Sequence, residues 1–153
     1  MTIYGLITGQ NGEMDCIKFP CSEDIIYNEK KITKPVYNIL LGRKFVEGFI
    51  PHWTNIISNP KDPEYKGGIT STTMPKIVFS KTLNKSIWYN TKITNEELVE
   101  EVTKFKNQSG NYMIVYGNAT FVSALVKSKL IYGFHLFINP LVIGYGIIIF
   151  KEI

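Results

Sequence analysis

Tyr112-Met-Ile-Val-Tyr116, then Gly117-Asn118-Ala119-Thr120, then Phe121-Val-Ser-Ala-Leu-Val126 follow one another without a gap. The first run has the length and apolar, aromatic content of a buried strand; the second is a turn of small residues; the third opens a helix. A helix N-terminus presents unpaired N–H groups and about half a positive charge, so a phosphate can dock there on backbone alone. Two readings stay open at this point, an ordinary strand-to-helix junction and an anion site.

A second junction of the same kind lies upstream, where Tyr37-Asn-Ile-Leu-Leu41 runs into Gly42-Arg43-Lys44-Phe45-Val46-Glu47. Cations at a helix N-terminus oppose its dipole by a few tenths to about 1 kcal/mol, so Arg43 and Lys44 call for an anion between them. A third strand, Lys76-Ile-Val-Phe79, ends in Ser80-Lys81-Thr82, a hydroxyl, an ammonium and a hydroxyl. Three strand ends with anion-compatible groups suggest a ligand carrying several phosphates.

The remaining segments set the architecture. Thr94-Asn-Glu-Glu97 reads as a capping box, and Leu98, Val102 and Phe105 follow at helical spacing with charged residues on the wet side. From Asn55 to Thr73 the chain has no apolar period and reads as a long loop, of the kind that forms lids or binding segments. Trp53 at its entrance, with Phe45 and Phe49, either walls a pocket for a flat ring or is core, since Phe45 and Phe49 are spaced i, i+4. Phe134 to Ile138 and Ile147 to Phe150 read as a carboxy-terminal hairpin. Strands alternating with helices predict an α/β fold with a mainly parallel sheet and an antiparallel edge.

Four blocks in order resemble the dihydrofolate-reductase-like reductases, and among them the carboxy-terminal reductase domain of the riboflavin-biosynthesis deaminase/reductases, RibD. Leu41-Gly-Arg-Lys-Phe-Val-Glu-Gly-Phe49 with Trp53 is similar to L-G-R-K-T-Y-E-x-F…W. Met74-Pro-Lys-Ile-Val-Phe-Ser-Lys-Thr-Leu83, with Trp88 and Asn90-Thr91, is similar to M-P-K-x-V-x-S-R-T-L…W…N-T. Val115-Tyr-Gly-Asn-Ala-Thr-Phe-Val122 resembles V-x-G-S-x-x-L-V, and Pro140-Leu-Val-Ile-Gly-Tyr-Gly146 with Phe150 resembles P-V-x-L-G-x-G…F. Blocks in this order are far more specific than any one of them.

The resemblance implies a single three-layer α/β/α domain over residues 1–153, binding NADPH and delivering hydride to a small heterocyclic substrate, a pyrimidine or a pterin-like ring. It further implies that Arg43 and Lys44, with Ser80 and Lys81, hold the adenosine 2′-phosphate, that Thr82 is a further cofactor-binding residue, and that Gly117, Asn118, Ala119 and Thr120 wrap the diphosphate. Gly42 would let the backbone approach the cofactor, having no Cβ. A homodimer is implied as well.

Several positions depart from the family. Phe45 stands where a phosphate-binding threonine is usual, Asn118 replaces a glycine or serine, and Tyr132-Gly133 replaces an Asp-Glu pair. Tyr4 to Thr8 looks like the first strand, and Gly9-Gln-Asn-Gly12 sits where the family reads S-x-D-G. Asn11 hydrogen-bonds substrate but has no titratable proton, leaving proton donation to water, Glu13 or Asp15. The alternative function is therefore a catalytically inactive dinucleotide-binding or interaction protein on the same fold.

Composition bounds the rest. A chain of 153 residues, 44% hydrophobic, has the size of one domain. No segment reaches the roughly 18 to 20 apolar residues of a membrane helix and no signal peptide is legible, so a soluble cytoplasmic protein is expected. The net charge of +4 raises nucleic acid, but the lysines are scattered among acids, and an anionic dinucleotide accounts for the balance more economically. Cys16 and Cys21, C-x₄-C, with His52 and His135, do not make a convincing zinc set, and a disulfide is not expected in a reducing compartment. No metal is expected.

Overall fold

The computed structural model describes residues 1–13, 23–108 and 112–150. Cys16, Cys21 and Asp15 lie outside them. In chain order the elements are β1 (Leu6–Thr8), α1 (Glu23–Thr33), β2 (Val36–Gly42), α2 (Arg43–Ile57), α3 (Tyr65–Thr73), β3 (Lys76–Phe79), β4 (Thr91–Thr94), α4 (Leu98–Lys106), β5 (Tyr112–Tyr116), α5 (Ala119–Lys127) and β6 (Ile147–Ile148). They form two compact units, one of residues 32–118 and one of residues 1–31 with 119–153.

The first unit holds a four-stranded, all-parallel sheet in the order β4-β3-β2-β5. β2 is central and its last four residues are buried, as the unbroken apolar run Ile39-Leu-Leu41 requires of a strand covered on both faces. Pleating sends Ile39, Leu41 and Val78 to the side where Val46 and Phe49 of α2 meet them, with Phe45, Trp53, Trp88, Ile93, Ile114 and Tyr116 packed around. Leu41, Val46 and Val78 are fully buried, each worth about 1.5–3 kcal/mol of apolar transfer. The opposite face carries α4, tied to β4 by Lys92 Nζ on Glu101 Oε1 at 3.1 Å and to β2 by the Tyr37 hydroxyl donating to the Phe105 carbonyl at 3.2 Å. Helices thus cover both faces of a mainly parallel sheet, the α/β architecture read from the sequence.

Two expectations for this unit are corrected. The stretch from Asn55 to Thr73 is not one long loop, because α2 runs to Ile57 and α3 fills Tyr65–Thr73. α3 is invisible to propensity, carrying two glycines and four Ser/Thr residues. Packing makes it helical: Gly68 is pressed against α2, where a Cβ would come within 2.8 Å of Ile57 Cγ2 and 3.1 Å of Ile56 Cγ2. The threonines satisfy their hydroxyls on the preceding turn, Thr72 on the Gly68 carbonyl at 2.8 Å and Thr73 on that of Ile69 at 2.7 Å. The second correction concerns the cap of α4. Thr94 is held in β4, where its carbonyl accepts from Ser80 N at 2.9 Å, so Glu97 caps the helix instead, its Oε2 accepting from Val99 N at 2.7 Å and Glu100 N at 3.2 Å.

In the other unit, β1 and β6 pair antiparallel, Leu6 opposite Ile148. The antiparallel element exists, but the expected hairpin of Phe134–Ile138 with Ile147–Phe150 does not. The amino terminus takes the backbone groups that hairpin would have used: the Met1 ammonium donates to the Phe137 carbonyl at 2.9 Å, Asn139 N donates to the Met1 carbonyl at 2.8 Å, and Thr2 bridges Asn139. β6 is left to β1, and Gly146 lies so close to the Thr8 carbonyl that no side chain fits. His135, expected inside a strand, is exposed in irregular chain. Ser123 of α5 donates to the Ile149 carbonyl at 2.6 Å, fastening the chain beyond β6.

Candidate functional site

The strand order decides where a ligand can sit. β2, β3 and β4 add in one direction and β5 returns to the other side of β2, so the switch point of the sheet lies between the carboxyl ends of β2 and β5. Crevices at such points are where open α/β sheets bind ligands. Gly42 pairs with Phe79, and Leu41 with Tyr116. Arg43, Ser80 and Gly117, each one residue beyond, therefore leave three adjacent strands about 4.8 Å apart along the same edge. The three junctions singled out in the sequence meet here.

Arg43 opens α2. Gly42 is its N-cap at φ −77° and ψ 146°, an ordinary extended conformation, and no side chain caps the helix. The first-turn N–H groups therefore have no side-chain acceptor at the cap. No acid stands in that first turn. Arg43 Nη2 instead reaches Glu47 Oε1, one turn on, at 3.1 Å, and both side chains are about half exposed. The anion demanded by the cations is thus partly internal. Arg43 Nε is buried and has no hydrogen-bond partner, a shortfall of about 1–3 kcal/mol for a buried donor. Lys44 is exposed and makes no ion pair among the described residues.

Ser80 is buried, and its Oγ accepts from Thr82 N at 3.2 Å and Leu83 N at 3.0 Å, with Thr82 Oγ1 at 3.4 Å. Its hydroxyl oxygen builds the turn that carries Lys81 and Thr82, both exposed. Gly117 and Asn118 follow β5, and Ala119 and Thr120 begin α5. Phe45, Phe49 and Trp53 form an aromatic ladder along α2, with ring centroids 5.7 and 6.1 Å apart, and Phe49 meets Tyr116 at 5.2 Å. Phe49 belongs to the core, while Phe45 and Trp53 are only partly buried.

Asn11 occupies an exposed turn of the other unit. Its amide donates to Glu13 Oε1 at 2.8 Å, and its backbone N–H to Glu13 Oε2 at 2.9 Å. Glu47 is the residue the sequence reading passed over. Its spacing of four from Arg43 was the available signal.

A cleft of about 370 Å³ opens at the opposite, amino-terminal edge between Asn38, Asn90, Lys92 and Phe105. Asn90 Nδ2 is spent on the Thr73 carbonyl at 2.7 Å and Lys92 on Glu101. Among the described residues, no three His, Cys, Asp or Glu side chains cluster to hold a metal, and no helix is long and apolar enough to cross a membrane.

A parallel sheet covered by helices, with basic and hydroxyl side chains along its carboxyl edge, defines an α/β protein. The chain belongs to the family described as the RibD C-terminal domain, which matches residues 1–153 and is a dinucleotide-binding reductase family of riboflavin biosynthesis. It is 30% identical over 156 residues to YyaP, an uncharacterized protein of Bacillus subtilis strain 168, covering all of this chain and 78% of that one. The fold is similar to the crystal structure of a Shewanella sp. PV-4 protein provisionally described as a riboflavin biosynthesis protein, with a TM-score of 0.67 and 16% identity over 99% of this chain and 80% of the other.

Proposed function

We propose that this protein is an NADPH-dependent reductase that transfers hydride to a small heterocycle, as 5-amino-6-(5-phosphoribosylamino)uracil reductase does. The observation that carries this reading is the uncapped N-terminus of α2 at the sheet's switch point, with Arg43 holding a buried Nε–H that lacks an acceptor. A phosphate supplies both the missing acceptor and the missing cap.

When bound, the nicotinamide supplies the hydride; the protein's part is to bind, orient and exclude water. Arg43 and Lys44 hold the 2′-phosphate with Lys81 and Thr82, which the Ser80 turn presents. Gly117, Asn118, Ala119 and Thr120 offer backbone N–H groups to the diphosphate. Phe45 and Trp53, the two ladder rings with exposed area, flank a flat substrate ring, and Phe49 supports them from below.

Calorimetric titration with NADPH and NADH at low and moderate salt tests this reading. Micromolar NADPH binding with a clear preference over NADH is expected, and no binding of either nucleotide overturns it.

A second reading, a dinucleotide-binding protein without turnover, is favoured by one observation: the Asn11 amide donates to Glu13 and has no titratable proton to deliver to a substrate. A large gain in turnover from Asn11→Asp would identify a weakened enzyme, whereas undetectable NADPH oxidation by both proteins with a broad set of pyrimidines and pterins would favour this second reading.

We also propose a cytoplasmic homodimer. Tyr132, Val142 and Tyr145 are 62–89% exposed and Leu136 and Ile138 more than half, apolar side chains that a second copy of the chain would cover. Light scattering reads the mass directly, and a monomer at micromolar concentration overturns the dimer.

A further inference from the structure

Along α2, the guanidinium of Arg43 has two parallel donors on one edge, Nε–H and one Nη2–H, the arrangement that takes an oxyanion through two bonds. In this structure that edge is half used: Nη2 is on Glu47 Oε1 at 3.1 Å and Nε has no acceptor. Glu47 therefore pairs with the Nη2 end of the guanidinium and leaves Nε unfilled.

We propose that Glu47 is an internal competitor that occupies the phosphate seat of Arg43 in the free protein and sets how strongly a phosphate must bind to claim it. The proposal rests on the reading of this edge as a phosphate site. A carboxylate has one negative charge and here pairs with one guanidinium nitrogen, Nη2. A phosphomonoester near neutral pH has close to two charges and can take both donors, so it displaces Glu47. A ribose hydroxyl in the same place has no charge and leaves the pair intact. Glu47 thus lowers affinity for the phosphorylated ligand alone, screens Arg43 from weak monoanions, and belongs to the specificity of the site. Lys44, without an ion-pair partner among the described residues, remains to receive the phosphate when Glu47 withdraws.

The test compares Glu47→Gln with the unaltered protein in titrations with 2′,5′-ADP, which carries the 2′-phosphate, and with 5′-AMP, which does not. Glutamine keeps the shape of the side chain, and Glu47 is half exposed on the helix, so folding is retained. Glu64→Gln, ahead of α3, controls for the loss of one negative charge anywhere on the surface.

Glu47→Gln is expected to bind 2′,5′-ADP about three- to tenfold more tightly, with 5′-AMP changed less than twofold and Glu64→Gln unaltered, the gain shrinking as salt rises. Weaker binding of 2′,5′-ADP would mean that Glu47 orients Arg43 rather than competing with its ligand, and overturns the proposal. Equal binding by the two proteins overturns it as well while leaving the NADPH reading intact. Failure of every protein to bind 2′,5′-ADP would sink both.

Discussion

Lys76 should make stability rise with pH on the alkaline side of neutrality. It begins β3, is 3% exposed, and directs its Nζ to the Thr72 carbonyl at 2.8 Å and the Met74 carbonyl at 2.7 Å, at the end of α3. Burial disfavours its charged form and lowers its pKa from 10.5 to about 8. Below about pH 8 the side chain is protonated in both folded and unfolded chains, and the full cost of burying the ammonium is present. Between about 8 and 10.5 the folded protein has released the proton while the unfolded chain still holds it, so unfolding takes up a proton and stability increases with pH. The interval of 2.5 pH units, 10.5 minus 8, corresponds to about 3 kcal/mol, of which about 2 kcal/mol is gained by pH 9.5. A neutral amine still has two N–H donors, so both carbonyls keep their partners throughout. Urea unfolding of the protein and of Lys76→Met from pH 7 to 9.5 isolates the effect, since other titrating groups are common to both. The stability of the unaltered protein relative to the variant should climb by about 2 kcal/mol over that range. Parallel pH profiles, or a relative loss at high pH, would refute the reasoning and mean that the helix-end carbonyls hold the ammonium strongly enough to cancel its burial.

Three further outcomes follow from the packing and the site. Gly68→Ala should destabilise by about 1–3 kcal/mol, because its Cβ would press on Ile57 Cγ2 at 2.8 Å and Ile56 Cγ2 at 3.1 Å and force α3 off α2; thermal unfolding measures it. Glu97→Ala removes the side-chain cap of α4 and should cost about 1 kcal/mol in the same assay, whereas Thr94→Ser, which keeps the Oγ contact to Glu96 N, should cost less. Arg43→Ala should weaken NADPH binding at least tenfold, by loss of a charge-assisted contact of about 1.5–3 kcal/mol, and leave NADH within about twofold; equal losses for both would place Arg43 away from the 2′-phosphate.

The candidate site was legible where it depends on residues adjacent in the chain. Gly42-Arg43-Lys44, Ser80-Lys81-Thr82 and Gly117-Asn118 each ended an apolar strand, and each strand formed as read. That β2 stands between β3 and β5, so that these ends share one edge, could not be read, because strand order is set by which faces bury together. Phe49 illustrates the same limit: its i, i+4 relation to Phe45 fits a pocket wall or a core equally, and packing with Ile39, Leu41 and Val78 of the sheet is what makes it core. Glu47 was within reach of the sequence as an i, i+4 partner for Arg43, but the idle Nε beside it is a matter of burial.

Hydrophobic periodicity and the punctuation of glycines by themselves determined the α/β class, the strands β2, β3 and β5 and the helices that follow β2 and β5, because these depend on residues a few positions apart. Four ordered motif blocks determined the family. Tertiary structure alone decided that Tyr65–Thr73 is helical despite its glycines and threonines, since contact with Ile56 and Ile57 outweighs weak propensity. It also decided that β6 joins β1 rather than Phe134–Ile138. There the amino-terminal Met1, 136 residues away in sequence, takes the Phe137 carbonyl that a hairpin would have needed, and a competition between distant backbone groups leaves no trace in local pattern.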